Sequence, residues 1–215
     1  NIKKYNVGGY DREENSYTLK LKSNGVKIHH TVSVPEIPLD FLNNKITLIV
    51  YTPAIQKNHV LYKFFLNKGF KIIKRAKLLH MVCWNHNVIA IAGTHGKTTI
   101  TIMLSHILIN AGYNPNAFFG GIYQNNGTNF LVGDTKYMIV EADEYDQSFL
   151  ELKPTISLIT SLDKDHIDTY ASEDEMLESY YQFVLNTCTS HINHPSPVSD
   201  RIQIKGSPVF MPTEV

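Results

Sequence analysis

Apolar and polar positions change period several times along this chain, and each change marks an element. Residues 45–51 (Lys-Ile-Thr-Leu-Ile-Val-Tyr) form a nearly continuous apolar run of strand length. Within 57–68, Val60, Leu61, Phe64 and Phe65 recur at helical spacing until Gly69 ends them. Residues 70–73 turn apolar again, and 75–87 read as a helix leading onward. Strand, helix, strand in that order predicts a parallel sheet with right-handed crossovers. Asn24-Gly25, Pro35 and Pro38 mark turns between the earlier segments.

A second rhythm begins at Asn87. Residues 87–92 are an apolar strand run. Ile100, Met103, Leu104, Ile107 and Leu108 then fall on one face of a helix, and Gly112 supplies the stop. Two further strands are predicted at 137–142 and 155–160. The Gly/Asn-rich stretch 120–129 reads as a loop; composition fits a ligand-facing loop and a plain surface loop equally well. Ser172 and Glu175 form a capping-box pair, and the helix they open carries Met176, Leu177, Tyr180 and Val184 on one face. From 186 the character changes. That stretch holds four of the nine prolines, shows no clear period, and hints at one edge strand around Ile202 and Ile204.

Between the strand at 87–92 and its helix lies Gly93-Thr94-His95-Gly96-Lys97-Thr98-Thr99. Glycines let the backbone approach an anion, loop amides can point at it, and lysine adds a mobile positive charge. Thr98 stands where a hydroxyl can bind Mg²⁺. The longer P-loop pattern asks for a glycine five positions before Gly96, where Ile91 stands. A bare G-x-x-G-K-T also fits an ordinary strand-to-helix turn. The strand before and the helix after favour the phosphate cradle.

Acids crowd two other strand ends. Glu141-Ala142-Asp143-Glu144-Tyr145-Asp146 closes one strand, and Asp163-Lys164-Asp165-His166-Ile167-Asp168 follows another. Ligands of parallel sheets bind beyond the carboxyl ends of the strands. The expectation is that the glycine loop, Glu141 and His166 converge on one metal-bound triphosphate, since Mg²⁺ takes oxygen ligands. A single acid here would read as a solvated loop. His166 alone reads either way; Asp165 and Asp168 beside it tilt it towards function.

Composition narrows the partners. Lysine plus arginine and aspartate plus glutamate both number 20, so no basic surplus points to nucleic acid. No apolar run approaches the ~20 residues that cross a bilayer. The start lacks a signal-peptide core, and two distant cysteines without metal-ligand spacing fit a reduced, cytoplasmic setting. No methionine opens the chain, so the expectation is a start upstream of Asn1.

Gly93-Thr94-His95-Gly96-Lys97-Thr98-Thr99, Glu141-Ala142-Asp143-Glu144 and Asp165-His166-Ile167-Asp168-Thr169-Tyr170 resemble, in order and spacing, the motifs of the Mur ligases of peptidoglycan synthesis. Val50-Tyr51-Thr52-Pro53-Ala54-Ile55, Lys74-Arg75-Ala76 and Val7-Gly8-Gly9-Tyr10-Asp11 extend the resemblance to about residues 5–186. The likeness implies an α/β protein: an incomplete Rossmann-like, UDP-substrate-binding domain over 1–86, then part of a P-loop central ATPase domain with a mainly parallel sheet over 87–186. Residues 187–215 stay unassigned.

What the resemblance implies for chemistry is an ATP- and Mg²⁺-dependent ligase joining L-alanine to the carboxylate of UDP-N-acetylmuramate through an acyl phosphate. Carried over by motif, Gly93, Thr94, His95, Gly96, Lys97, Thr98 and Thr99 bind ATP. Lys97, Glu141 and His166 are catalytic, and Thr98, Glu141 and His166 hold metal. Gly120, Gly121 and Asn129 grip the muramyl substrate, while His95 either touches substrate or fills the loop. Ser161 departs from the asparagine usual in the family. The family's opening G-x-G-G-x-G strand and its third domain lie outside these residues, so they are expected to lack full activity alone. The alternatives are a ligase of the same family that recycles murein tripeptide, a non-catalytic nucleotide-binding fragment, and an unrelated P-loop ATPase. Oligomeric state is not readable from the chain.

Overall fold

The computed structural model describes residues 5–123, 127–163 and 170–192. The chain divides into two compact units, Asn1–His86 with Ala142–Leu152, and Asn87–Glu141 with Lys153–Val215.

In the first unit, β1 (Gly8–Tyr10), α1 (Ser16–Ser23) and β2 (Lys27–His29) make one β-α-β step, with β1 and β2 parallel. Asn15 caps α1: its side chain accepts from the Tyr17 and Thr18 amides, and the Thr18 hydroxyl accepts from the Asn15 amide. β3 (Leu48–Tyr51), α2 (Val60–Asn67) and β4 (Lys71–Lys74) make a second parallel step. Gly69 turns α2 into β4 at φ 71°, a conformation glycine adopts at little cost. Among the described residues these steps form two separate two-stranded sheets, not one continuous sheet. Pro35 and Pro38 sit in and just before short 3-10 turns, Val34–Glu36 and Leu39–Phe41.

α3 (Arg75–Cys83) stops earlier than its pattern suggests. Asn85 adopts φ 69°, which no helix tolerates, and the chain turns there before β5. A 3-10 stretch, Tyr145–Glu151, lies against α3. Two ion pairs accompany the contact, Arg75–Asp143 at 3.6 Å and Lys77–Glu151 at 3.3 Å.

The second unit is built on a five-stranded sheet of order β7-β6-β8-β5-β9. Its strands are β5 (Asn87–Ala92), β6 (Asn116–Tyr123), β7 (Thr128–Leu131), β8 (Tyr137–Glu141) and β9 (Ile156–Ile159). All pairings are parallel except that of β7 at the edge. The expected α/β class and mainly parallel sheet are therefore both present. Ile91, Ala117, Phe119, Tyr123 and Ile139 form a buried core, with Ile100, Leu104 and Leu108 of α4 (Lys97–Asn110) packed on it. Full burial of a side chain such as Ile91 or Ile139 contributes about 1.5–3 kcal/mol on leaving water.

Three local expectations are corrected here. The inward face of α4 is only partly the expected apolar stripe: Ile100, Leu104 and Leu108 pack on the core, but Met103 and Ile107 are each 57% exposed, while Thr101 and Ser105 are fully buried. Their hydroxyls donate to the carbonyls of Lys97 and Thr101, so both polar atoms are satisfied inside and their small volume lets the helix sit close to the sheet. Within the stretch 120–129, residues 120–123 finish β6 and 128–129 begin antiparallel β7, so these are strand residues; 124–126 lie outside the described residues. The last helix, α5 (Glu173–Ile192), runs past 186 and buries Met176, Tyr180 and Phe183, leaving Leu177 exposed. Its capping pair is also altered: Ser172 accepts the Glu175 amide, but the Glu175 carboxylate reaches the amide of Ala171.

Candidate nucleotide site

β5 is a buried central strand, and its apolar run ends abruptly at Ala92 because Gly93 follows. Gly93 has φ 127°, and a β-carbon there would stand 2.2 Å from the Thr160 hydroxyl and 2.9 Å from the Ser161 carbonyl. Only glycine fits both the angle and the space. Gly96 then adopts φ 78° as the N-cap of α4. The first-turn amides of a helix have no acceptor within it, and the helix dipole adds positive potential at that end. No acidic side chain occupies the first turn of α4 to oppose an incoming anion.

Lys97 opens that turn and folds back over the loop, its Nζ donating to the carbonyl of Gly93 at 2.5 Å. A carbonyl is a weak partner for an ammonium, and a phosphate oxygen in the same place would be a stronger one. The loop's other side is fastened to the end of β9. The Thr94 amide donates to the Ser161 carbonyl at 2.9 Å, and the Asp163 amide to the Thr94 hydroxyl at 3.1 Å. His95 lies exposed with Nε2 3.7 Å from the Asp163 carboxylate, an ion pair whenever the imidazole is protonated.

β8 lies directly beside β5, and the register pairs Ile91 with Glu141. That neighbourhood brings Glu141 to the helix: the Thr98 hydroxyl donates to its Oε1 at 2.8 Å. The Gly120 amide donates to Oε2. Gly120 and Gly121 lie where the β6–β7 register slips, between Phe118 and Tyr123, so this stretch of β6 is released from regular pairing. A β-carbon on Gly120 would stand 2.4–2.9 Å from the Glu141 carboxyl atoms, and one on Gly121 would stand 3.4 Å from the Thr98 methyl. The two glycines thus make the space in which Glu141 and Thr98 meet.

A carboxylate and a hydroxyl in contact beside a helix N-terminus form an oxygen-donor pair that suits Mg²⁺. Among the described residues no group of three or more His, Cys, Asp or Glu is poised to hold a metal. The fit is of the kind Mg²⁺ shows with nucleotides, where one or two protein oxygens, phosphates and water complete the shell.

Of the residues singled out from sequence, the structure brings together Lys97, Thr98, Glu141, Gly120 and Gly121, with Gly93, Thr94, His95, Gly96 and Thr99 in the same loop and first turn. Asn129 is exposed on edge strand β7. His166 lies outside the described residues. Asp143 belongs to the first unit and pairs with Arg75. Sequence reasoning missed the fastening made by Thr160, Ser161 and Asp163. The available signal was Thr160 closing the strand predicted at 155–160, with Ser161 and Asp163 just beyond it.

Residues 91–207 match the Mur ligase middle domain. Curated relatives include the UDP-N-acetylmuramate–L-alanine ligase of Cytophaga hutchinsonii, 40% identical over 184 residues, which is 84% of this chain and 40% of the relative. The enzymes of the same name from Christiangramia forsetii and Phocaeicola vulgatus are 42% and 43% identical over 178 residues, each covering 82% of this chain and 39% of the relative. The chain spans about 40% of the length of these relatives. A solved UDP-N-acetylmuramate-alanine ligase from Thermotoga maritima superposes with a TM-score of 0.73 at 25% identity, over 84% of this chain and 41% of that one. The UDP-N-acetylmuramate:L-alanyl-gamma-D-glutamyl-meso-diaminopimelate ligase of Neisseria meningitides shares the fold, with a TM-score of 0.75 at 24% identity over 84% of this chain and 60% of that one.

Proposed function

This chain belongs to the Mur ligase family, and on that premise we propose that it carries the phosphate-binding part of an ATP-dependent ligase that joins L-alanine to UDP-N-acetylmuramate. The observation that carries the reading is the Thr98–Glu141 contact, set between a glycine loop and the end of the neighbouring parallel strand. A carboxylate at a helix N-terminus also stabilises the helix, but one held against the threonine that follows a glycine-loop lysine places two oxygen donors where a nucleotide's metal would sit.

In the proposed reaction the substrate carboxylate attacks the γ-phosphorus of ATP, the bond to the bridging oxygen breaks, and ADP leaves. The amine of L-alanine then attacks the acyl phosphate carbon; inorganic phosphate departs and the amine gives up a proton. The protein's share is positioning and charge neutralisation, as in other phosphoryl transfers. Lys97 exchanges its loop carbonyl for β- and γ-phosphate oxygens. Thr98 and Glu141 would hold Mg²⁺, which when bound offsets phosphate charge. His166 is assigned to the same work by its motif alone. Gly120 and Gly121 shape the wall behind Glu141; Asn129 is kept as a muramyl-binding candidate on the same grounds as His166.

L-Alanine is favoured over a tripeptide as the second substrate because the relatives so named reach 40–43% identity. No helix among the described residues is long and apolar enough to cross a membrane. A cytoplasmic setting suits a reaction that draws on ATP and a sugar nucleotide.

The test uses the protein read from the whole reading frame that contains this chain. ADP release is followed with Mg²⁺, ATP and UDP-N-acetylmuramate, adding L-alanine or the L-Ala-γ-D-Glu-diaminopimelate tripeptide. Turnover with L-alanine is expected. Turnover with tripeptide alone overturns the choice of amino acid, and nucleotide binding without turnover on either favours the non-catalytic reading.

A further inference from the structure

Ser161 stands at the junction between β9 and the phosphate loop, and it makes three hydrogen bonds to that loop. Its carbonyl accepts the Thr94 amide at 2.9 Å. Its hydroxyl shares a hydrogen bond with the Thr94 hydroxyl at 2.9 Å and accepts the His95 amide at 3.3 Å. On either side the fastening continues. Thr160 donates through its amide to the Ala92 carbonyl at 3.0 Å and through its hydroxyl to the His95 carbonyl at 2.5 Å. The Asp163 amide closes the set on the Thr94 hydroxyl at 3.1 Å.

Two consequences follow from the chemistry of the donors. First, the amides of Thr94 and His95 both donate to Ser161, so the position of those two amides is set by the end of β9. Second, Thr94 is 7% exposed, and its buried hydroxyl depends on this network for its partners. Without Ser161 Oγ, the His95 amide loses its acceptor and is left to compete for other oxygens, and the loop loses one definition of its shape.

We propose that Ser161 is a positioning residue for nucleotide binding, which fixes the curvature of the glycine loop by holding Thr94 and His95 on the end of β9. It acts through the loop and touches no phosphate itself. The inference rests on the nucleotide-site reading above, and adds to it the device that shapes the site before nucleotide arrives.

The experiment measures Mg²⁺-ATP affinity and thermal unfolding in parallel on the protein from the whole reading frame. Ser161→Ala is expected to weaken Mg²⁺-ATP binding by about five- to tenfold, the size of a lost hydrogen bond or two. Ser161→Thr keeps the oxygen and is expected to restore most of that affinity. Thr94→Val should weaken binding to a similar extent, and the double variant should lose less than the sum of the two single losses, because the Thr94–Ser161 hydroxyl bond is common to both. A merely structural serine would move the unfolding midpoint without this non-additivity in ATP affinity. Wild-type affinity in Ser161→Ala, or additive losses in the double variant, overturns the proposal. Should Ser161→Ala fail to fold, Thr94→Val and Ser161→Thr decide it: wild-type affinity in the former, or weakened binding in the latter, counts against. A wild-type protein that binds no Mg²⁺-ATP overturns the nucleotide-site reading itself and this inference with it, an outcome distinct from the others.

Discussion

The Thr98 hydroxyl donates to Oε1 of Glu141 across 2.8 Å, tying the first turn of α4 to the last residue of β8. Removing the charge while keeping the shape tests what this pair is for. Glu141→Gln should fold normally and lose at least about tenfold in ATP affinity when Mg²⁺ is present, as expected for a lost charged ligand. With Mg²⁺ chelated, its affinity should equal or exceed wild type, because a carboxylate near phosphates repels them. Titration calorimetry with and without chelator checks both arms. Equal loss in both conditions would point to a structural role.

Gly120 should behave as part of Glu141. A β-carbon at 120 would overlap the carboxylate, and the amide that now donates to Oε2 would be displaced with it. Gly120→Ala is expected to reproduce most of the Mg²⁺-dependent loss of Glu141→Ala. Combined with Glu141→Ala it should add little, since the group it displaces is already gone. A double variant much weaker than both singles would show that Gly120 acts independently.

Positive φ alone does not predict the cost of replacing a glycine here. Gly25 has φ 85° with nothing within 4 Å of an added β-carbon, so Gly25→Ala should cost only about 1–2 kcal/mol of backbone strain. Gly93→Ala adds a collision with the Thr160 and Ser161 backbone and should cost about 3–5 kcal/mol. Denaturant unfolding of the two variants gives the comparison directly.

Cys83 is buried at the end of α3, and burial pushes its thiol up from 9.0 to about 12. Folded protein should therefore resist thiol reagents at pH 8 until it unfolds. The sign of the pH effect follows. Below pH 9 the thiol is protonated in both states; from pH 9 towards about 12 only the unfolded chain ionises, so stability falls as pH rises. Cys83→Ala should show a shallower decline over pH 9–11, whatever it costs in packing. An identical slope in both proteins would contradict the burial argument.

Much of the second unit was legible in the residues. The strand at 87–92, the glycine turn, the helix after it and the strands near 137 and 155 all lie where local period and punctuation put them. Local signals also marked Gly69 and Gly112 as turns, because each must leave a helix through positive φ. The reading of α4 held for Ile100, Leu104 and Leu108 and failed at Met103 and Ile107 for a physical reason. Hydropathy ranks Met103 and Ile107 as inward and Thr101 and Ser105 as outward, yet close packing on the sheet selects small side chains whose hydroxyls bond within the helix. Residues 120–123 were misread for a similar reason: two glycines that look like a loop are strand residues, bare of side chains where Glu141 and Thr98 meet.

The chain by itself determined the strands near 87, 137 and 155, that a lysine-bearing glycine turn opens the helix after the first of them, and that acids follow two strand ends. Each of those is settled by neighbours a few residues away. Only the tertiary structure decided which acid meets Thr98. Strand order set β8 beside β5, so Glu141 faces the helix, whereas Asp143, two residues on, leaves with the first unit and pairs with Arg75. It likewise decided that the loop's own amides at 94 and 95 are held by Ser161. Contacts across 43 to 67 residues depend on how the whole sheet buries its apolar faces, and no local period carries that information.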